Sequence, residues 1–164
     1  MNLFNPRFFG NQRGAALVEF ALVLPLLLLL LFGIIEFSLL MYNKQIMTNA
    51  SREGARYGIV ATGGVRRDLA QIRNEVKNWA AGKLITFGTD TLDDDDIKVA
   101  HCSGSCTTWV EPFDPVGRIF GDRLKVRIEY DYDFLFVPNI PLFGAGSNLP
   151  GSITLDTETV MNYE

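Results

Sequence analysis

Four places along this 164-residue chain carry residue types that could do chemistry. The sole histidine, His101, stands beside Cys102 in the run His-Cys-Ser-Gly-Ser-Cys ending at Cys106. Two cysteines flanking a Ser-Gly-Ser spacer suit a small disulfide loop in an oxidising compartment, and two free thiols are the second reading. A structural zinc site takes four ligands, and this pair with His101 falls short of that. A histidine-based catalytic pair would rest on His101 alone. The run Asp93-Asp94-Asp95-Asp96 invites calcium, but it lacks the alternating acidic ligands, the central glycine and the distal glutamate of a calcium loop. A solvated acidic turn is the expectation there. Phosphate loops, dinucleotide fingerprints and HExxH are all missing from the sequence, so neither an enzyme nor a metal or cofactor site is expected. The fourth place is Gly14 to Glu19, where a carboxylate opens a long apolar run. A carboxylate within a bilayer costs about 2.5–3.5 kcal/mol at the centre and less near an interface. Glu19 either snorkels to the headgroups or pairs with an opposite charge.

The element that must position Glu19 is a membrane helix. Residues 20–35 (FALVLPLLLLLLFGII) hold no charge, and the apolar stretch runs on to Met41 if Glu36 is tolerated. About 20 apolar residues cross a hydrocarbon core of roughly 30 Å. A cleavable secretory signal fits poorly, because the run exceeds the roughly 7–15 residues of such a segment and no small-x-small cleavage site follows it. Glu36 lies seventeen positions after Glu19, about 25 Å along an ideal helix. It reads chiefly as a marker of the opposite interface, with a pairing role as the second reading. Pro25 removes a backbone donor and crowds the carbonyl of Ala21, so a bend or a point of local unwinding is expected there. Gly33 is a candidate close-contact point.

The residues around the helix start add a resemblance. Gly14-Ala15-Ala16-Leu17-Val18-Glu19-Phe20 follows a basic leader carrying Arg7 and Arg13 without an acid, and resembles a type IVb prepilin site. The longer run GAALVEFALVLPLLLLLLFGIIEF (14–37) and a second pattern, NASREGARY (49–57), resemble the TadE-like minor pilins (pseudopilins) of tight adherence (Tad/Flp) pili. The resemblance implies that a membrane prepilin peptidase cuts after Gly14 at the cytoplasmic face, leaving a new amine on Ala15. It further implies that Glu19, with Phe20 and Pro25 beside it, serves assembly. In a bundle of staggered helices the Glu19 carboxylate of one subunit pairs with the Ala15 amine of a neighbour. Implied partners are the inner membrane, the peptidase, other pilin subunits and the Tad secretion machinery, with the C-terminal part periplasmic or in a surface pilus. The implied role is a minor pilin supporting assembly or initiation of a Tad-type pilus. The alternative is a permanently anchored periplasmic binding or scaffold domain of a secretion system that never enters a fibre.

Beyond the anchor the pattern becomes that of a small globular domain. Between 43 and 83 the charge balance is +5, and from 92 to 164 it is −8. The basic residues are interspersed with acids and apolar positions, which does not resemble a nucleic-acid footprint. The helix is expected to continue past Tyr42 through Ile46, Ala50, Ala55 and Ile59, weakened by Gly54 and Gly58 and stopped at 62–64. A second helix is expected over 65–81, from the stripe Leu69, Ile72, Val76 and Trp79. Strands are expected at 97–101, 124–137 and 153–163, with turn-rich stretches at 111–121 and 138–151. Ile140, Leu142 and Phe143 on the second stretch suggest either a contact surface or a fold-back over the sheet. The expected class is α+β: a long N-terminal transmembrane helix, then a helix packed on an antiparallel sheet. The expected divisions are a leader at 1–14, a transmembrane helix at 15–42, a helical stalk at 43–62 and an extracytoplasmic domain at 63–164.

Overall fold

The computed structural model describes residues 12–60, 66–87, 91–103, 106, 108–114, 120–136 and 151–163. The leader as far as residue 11, the helix stop at 62–64 and the loop 138–150 lie outside the described residues. Five elements follow one another: α1 (Gln12–Ile59), α2 (Leu69–Ala80), β1 (Ile97–Cys102), β2 (Arg123–Asp133) and β3 (Ser152–Asn162). The chain divides into two units, Met1–Ile35 and Glu36–Glu164.

In the first unit α1 is apolar on every side. Most of its leucines are exposed, Leu22 at 74% and Leu26 at 68%. A helix apolar all round is stable only in lipid or against apolar partners. α1 is long and apolar enough to cross a membrane. It runs unbroken through Pro25, where the lost donor leaves the carbonyl of Ala21 without its helical partner.

The second unit is built on a three-stranded antiparallel sheet of order β1-β2-β3. Period-two alternation sends Leu124, Val126, Ile128, Tyr130 and Tyr132 of β2 to one face, where all are buried. The register aligns Ile97 with Ile128, Val99 with Val126, and Leu155 with Tyr130 on that same face. The remainder of α1 and all of α2 cover it. Met47, Ala50 and Ala55 of α1 and Ile72, Val76 and Ala80 of α2 join the strands in one core. Fully burying a side chain such as Ile72 or Leu124 contributes roughly 1.5–3 kcal/mol.

The segment expected as a stalk is therefore a layer of the core. Two glycines allow it to lie so close. A Cβ placed on Gly54 would sit 2.3 Å from Cγ2 of Val76, and one on Gly58 would sit 2.4 Å from Cδ2 of Leu124. The same helix face holds Ser51, whose Oγ lies 2.7 Å from Oγ1 of Thr159 on β3, and Thr48, 3.2 Å from Thr157. Polar threonines on the inner face of β3 are thus satisfied by the helix that covers them.

α2 starts at Leu69, where its apolar stripe begins, and not at the expected residue 65, because Asp68 is its N-cap. Its carboxylate accepts from the Gln71 amide at 2.7 Å, while the Gln71 side chain accepts from the Asp68 amide at 3.1 Å. Gly82, at φ +69°, follows the helix end.

Candidate functional site: the head of helix α1 and the Glu36 junction

The residues expected to serve processing and assembly all lie on the first unit's helix. Gly14, Ala15 and Glu19 are exposed, and Phe20 is 63% exposed. Ala15 and Glu19 are four positions apart, on the same side of the helix and about 6 Å along its axis. Glu19 is thus a carboxylate at the head of an apolar rod that carries no further charge from Phe20 to Ile35, among Leu17, Val18 and Phe20. Such a rod has two compatible environments, a bilayer and a bundle of similar helices. In either, a charge near its head favours an opposite charge at the same depth. The Cβ position of Gly33 meets nothing within 4 Å in the single chain, so it makes no close contact there.

Glu36 does more than mark a depth along the helix. It is 3% exposed, so its carboxylate is not turned to water. Its Oε1 accepts from the Tyr132 hydroxyl and from the Leu135 amide, each at 3.0 Å, and its Oε2 accepts from the Phe136 amide at 2.9 Å. A carboxylate leaving water is tolerated when its lone pairs are filled in this way. Burial, reinforced by the hydrogen bond to Glu36, pushes the Tyr132 phenol above its ordinary range. The same contact explains why β2 stops at Asp133 although Phe134-Leu-Phe-Val continues the strand-like run. The amides of Leu135 and Phe136 turn to Glu36 instead of a neighbouring strand.

Seven residues on, Asn43 makes a second clamp. Its Nδ2 donates to the Ile85 carbonyl at 2.6 Å and its Oδ1 accepts from the Ile85 amide at 2.9 Å. Sequence reasoning passed over Asn43. The available signal was its spacing: Glu36 and Asn43 are the polar residues two turns apart on a helix face that then continues with Met47 and Ala50.

The remaining candidates are structural. Cys102 and Cys106 form a disulfide. Cys102 is buried, and Val110 returns beyond the loop to pair with His101, its amide donating to the His101 carbonyl at 2.9 Å. His101 is 5% exposed, with its ring edge-on to Phe113 at 5.9 Å. The acidic run forms a turn in which Asp96 accepts from the Asp93 amide at 2.8 Å and Lys77 pairs with Asp94 at 2.6 Å. Its hydrogen bond to Lys77 holds Asp94 below the usual carboxylate range, and burial pushes Asp96 above it. Among the described residues no group of three His, Cys, Asp or Glu is placed to hold a metal ion. On the outer face of the sheet Arg127 grips Asp156 through Nε at 2.9 Å and Nη2 at 2.7 Å, and Lys98 reaches Glu129 at 2.5 Å. The hydrogen bonds from Arg127 hold Asp156 below the usual range.

No curated protein and no solved structure matches the chain. A family model does, over the stretch that holds Gly14, Glu19, Glu36, Asn43 and Gly54. Residues 14–56 match the model described as TadE-like protein, and this N-terminal quarter of the chain is TadE-like.

Proposed function

We propose that this chain is a minor pilin or pseudopilin that supports assembly or initiation of a Tad-type pilus after its leader is removed at Gly14. The observation that carries the reading is the combination at the head of α1. The TadE-like stretch begins at Gly14, and five residues on Glu19 lies exposed on a helix with no further charge between it and Glu36. The family match over residues 14–56 supports a relation to Tad pili, and the length and composition of α1 support a membrane anchor.

The chemistry is simple. A prepilin peptidase adds water across the Gly14–Ala15 peptide bond, leaving a carboxylate on Gly14 and an amine on Ala15. The small side chains of Ala15 and Ala16 leave the bond accessible. At neutral pH the amine is largely protonated. In a staggered bundle it meets the Glu19 carboxylate of a neighbour, so two charges that are costly in lipid neutralise each other and set the register between subunits. The leader is cytoplasmic in this reading, which the basic Arg7 and Arg13 favour. The C-terminal unit is periplasmic, which suits the Cys102–Cys106 disulfide.

Gly14→Val tests the reading in cells that hold an active peptidase. Processing is expected to stop while membrane insertion persists, because the apolar helix is untouched. Normal processing of the variant would contradict it. The alternative, a permanently anchored periplasmic scaffold, predicts that the unmodified chain keeps its leader and never fractionates with sheared filaments.

A further inference from the structure

Glu36 and Asn43 share one face of α1, two turns apart, and both are buried polar side chains. Each holds a piece of backbone, Glu36 the amides of Leu135 and Phe136 and Asn43 both polar groups of Ile85. The two captured segments carry aromatic residues, Phe134 on one and Phe87 on the other. Tyr132, itself bound to Glu36, has its ring edge-on to both, 5.8 Å from Phe134 and 6.4 Å from Phe87. On the helix itself Phe37, next to Glu36, is 64% exposed and Met41, one turn on, 44%, while Phe87 is 41% exposed and Phe134 half-buried. Phe87 and Phe134 are held at the level of Glu36 through Tyr132, and Phe37 and Met41 follow Glu36 directly along the helix.

We propose that these four side chains form a lipid-seating surface, lying in the headgroup–acyl boundary of the bilayer while the helix is membrane-resident. The proposal rests on the anchor part of the proposed function. Continuity supports it. Residues 15–35 have about the length that crosses a hydrocarbon core, roughly 20 residues, so the boundary falls at Glu36. Apolar side chains such as phenylalanine seat at that depth where a segment lies against the headgroup–acyl boundary. The one charge on the helix at that level is taken up by three donors of the protein, so it does not oppose contact with lipid. Asp131 and Asp133, on the opposite face of β2 at the same end, make a zwitterionic surface a better fit than an anionic one.

The test uses the full chain in phosphatidylcholine vesicles, with a single added cysteine carrying an environment-sensitive fluorophore and with lipids bearing a nitroxide near the headgroup or, to read position 22, along the acyl chain. The Cys102–Cys106 disulfide is kept, so only the added thiol reacts. Labels are placed at Phe37→Cys, Phe87→Cys, Leu22→Cys and Phe120→Cys. Phe120 is 82% exposed beyond the other end of β2, whose stretch from Arg123 to Tyr132 alone is about 30 Å long. Labels at 37 and 87 are expected to be quenched severalfold more than the label at 120. Asn43→Ala is expected to weaken quenching at 87 but not at 37. If 87 and 37 behave like 120 while 22 is quenched, the seat is wrong and the anchor stands. A label at 22 that escapes quenching overturns the anchor and the seat together. Emission at 87 that responds to protein density and not to the nitroxide lipid would assign the surface to a second copy and overturn the lipid assignment. Unchanged quenching at 87 in Asn43→Ala would overturn the clamp.

Discussion

The Tyr132 hydroxyl donates to the Glu36 carboxylate at 3.0 Å across 96 residues of sequence, and this bond joins the long helix to the end of the central strand. Glu36→Ala leaves that hydroxyl and the amides of Leu135 and Phe136 without their acceptor. Each buried donor left unsatisfied costs about 1–3 kcal/mol, so a loss of several kcal/mol is expected in urea unfolding of the detergent-solubilised chain. Tyr132→Phe removes one donor and leaves the carboxylate two others, and a loss near 1 kcal/mol is expected.

The pH dependence of that bond has a definite sign. Folding raises the Tyr132 pKa above its ordinary value, so the folded state holds this proton more tightly than the unfolded chain does. The stabilisation is complete below about pH 10, the ordinary tyrosine value, and is lost as pH rises beyond it. Tyr132→Phe should flatten the alkaline limb of a stability-versus-pH curve. An alkaline limb identical to that of the unmodified chain would remove Tyr132 as its source.

Gly54→Ala tests how closely α1 packs on α2. The added methyl meets Cγ2 of Val76, a β-branched side chain with little freedom to turn aside. Overpacking of this kind costs about 1–3 kcal/mol, which exceeds the roughly 1 kcal/mol that alanine gains over glycine in a helix. Paired with Val76→Ala, the same change should cost less than the two single losses added together. Thermal unfolding of the four proteins in this cycle provides the measurement.

Reduction of the Cys102–Cys106 disulfide releases a very short loop. Loop-closure entropy for so few residues gives a loss of about 2 kcal/mol. Hydrogen exchange should show it locally, as faster exchange at the amides of His101 and Val110, which pair with each other across the loop. Protection unchanged by reductant would mean that the His101–Val110 pairing holds without the bridge.

Much of this architecture is legible in the residues because its signals are local. Six consecutive leucines declare the anchor, the alternation from Leu124 to Tyr132 declares the central strand, and the stripe from Leu69 to Trp79 declares α2. Asp68 and Gln71 carry a capping pair three residues apart, a local signal that an expected start at 65 passes over. What was not legible depends on contacts made far along the chain. Gly54 and Gly58 look like flaws in a helix until Val76 and Leu124 stand opposite them. Glu36 looks like an interface charge until Tyr132 and two amides, nearly a hundred residues later, turn toward it. The end of β2 differs from expectation for the same reason, since Phe134 to Val137 has strand composition while Glu36 takes the amides of Leu135 and Phe136. Gly14 and Glu19 stand apart from these. Their reading depends on a resemblance carried by adjacent residues, and the fold of the second unit bears on neither.

In a bundle of helices, Glu19→Ala should leave membrane insertion and leader removal intact, since it removes a charge from an apolar segment and spares Gly14. Assembly should fail, because the Ala15 amine loses its counter-charge. Quantifying sheared filaments beside the membrane-held subunit separates the two effects. Normal piliation would refute the pairing.

The most direct measurement is the mass of the intact chain, made with and without an active prepilin peptidase. Removal of the leader predicts that the chain begins at Ala15 with the peptidase and at Met1 without it. A chain that still begins at Met1 beside an active peptidase would contradict the pilin reading and leave a permanent anchor in its place.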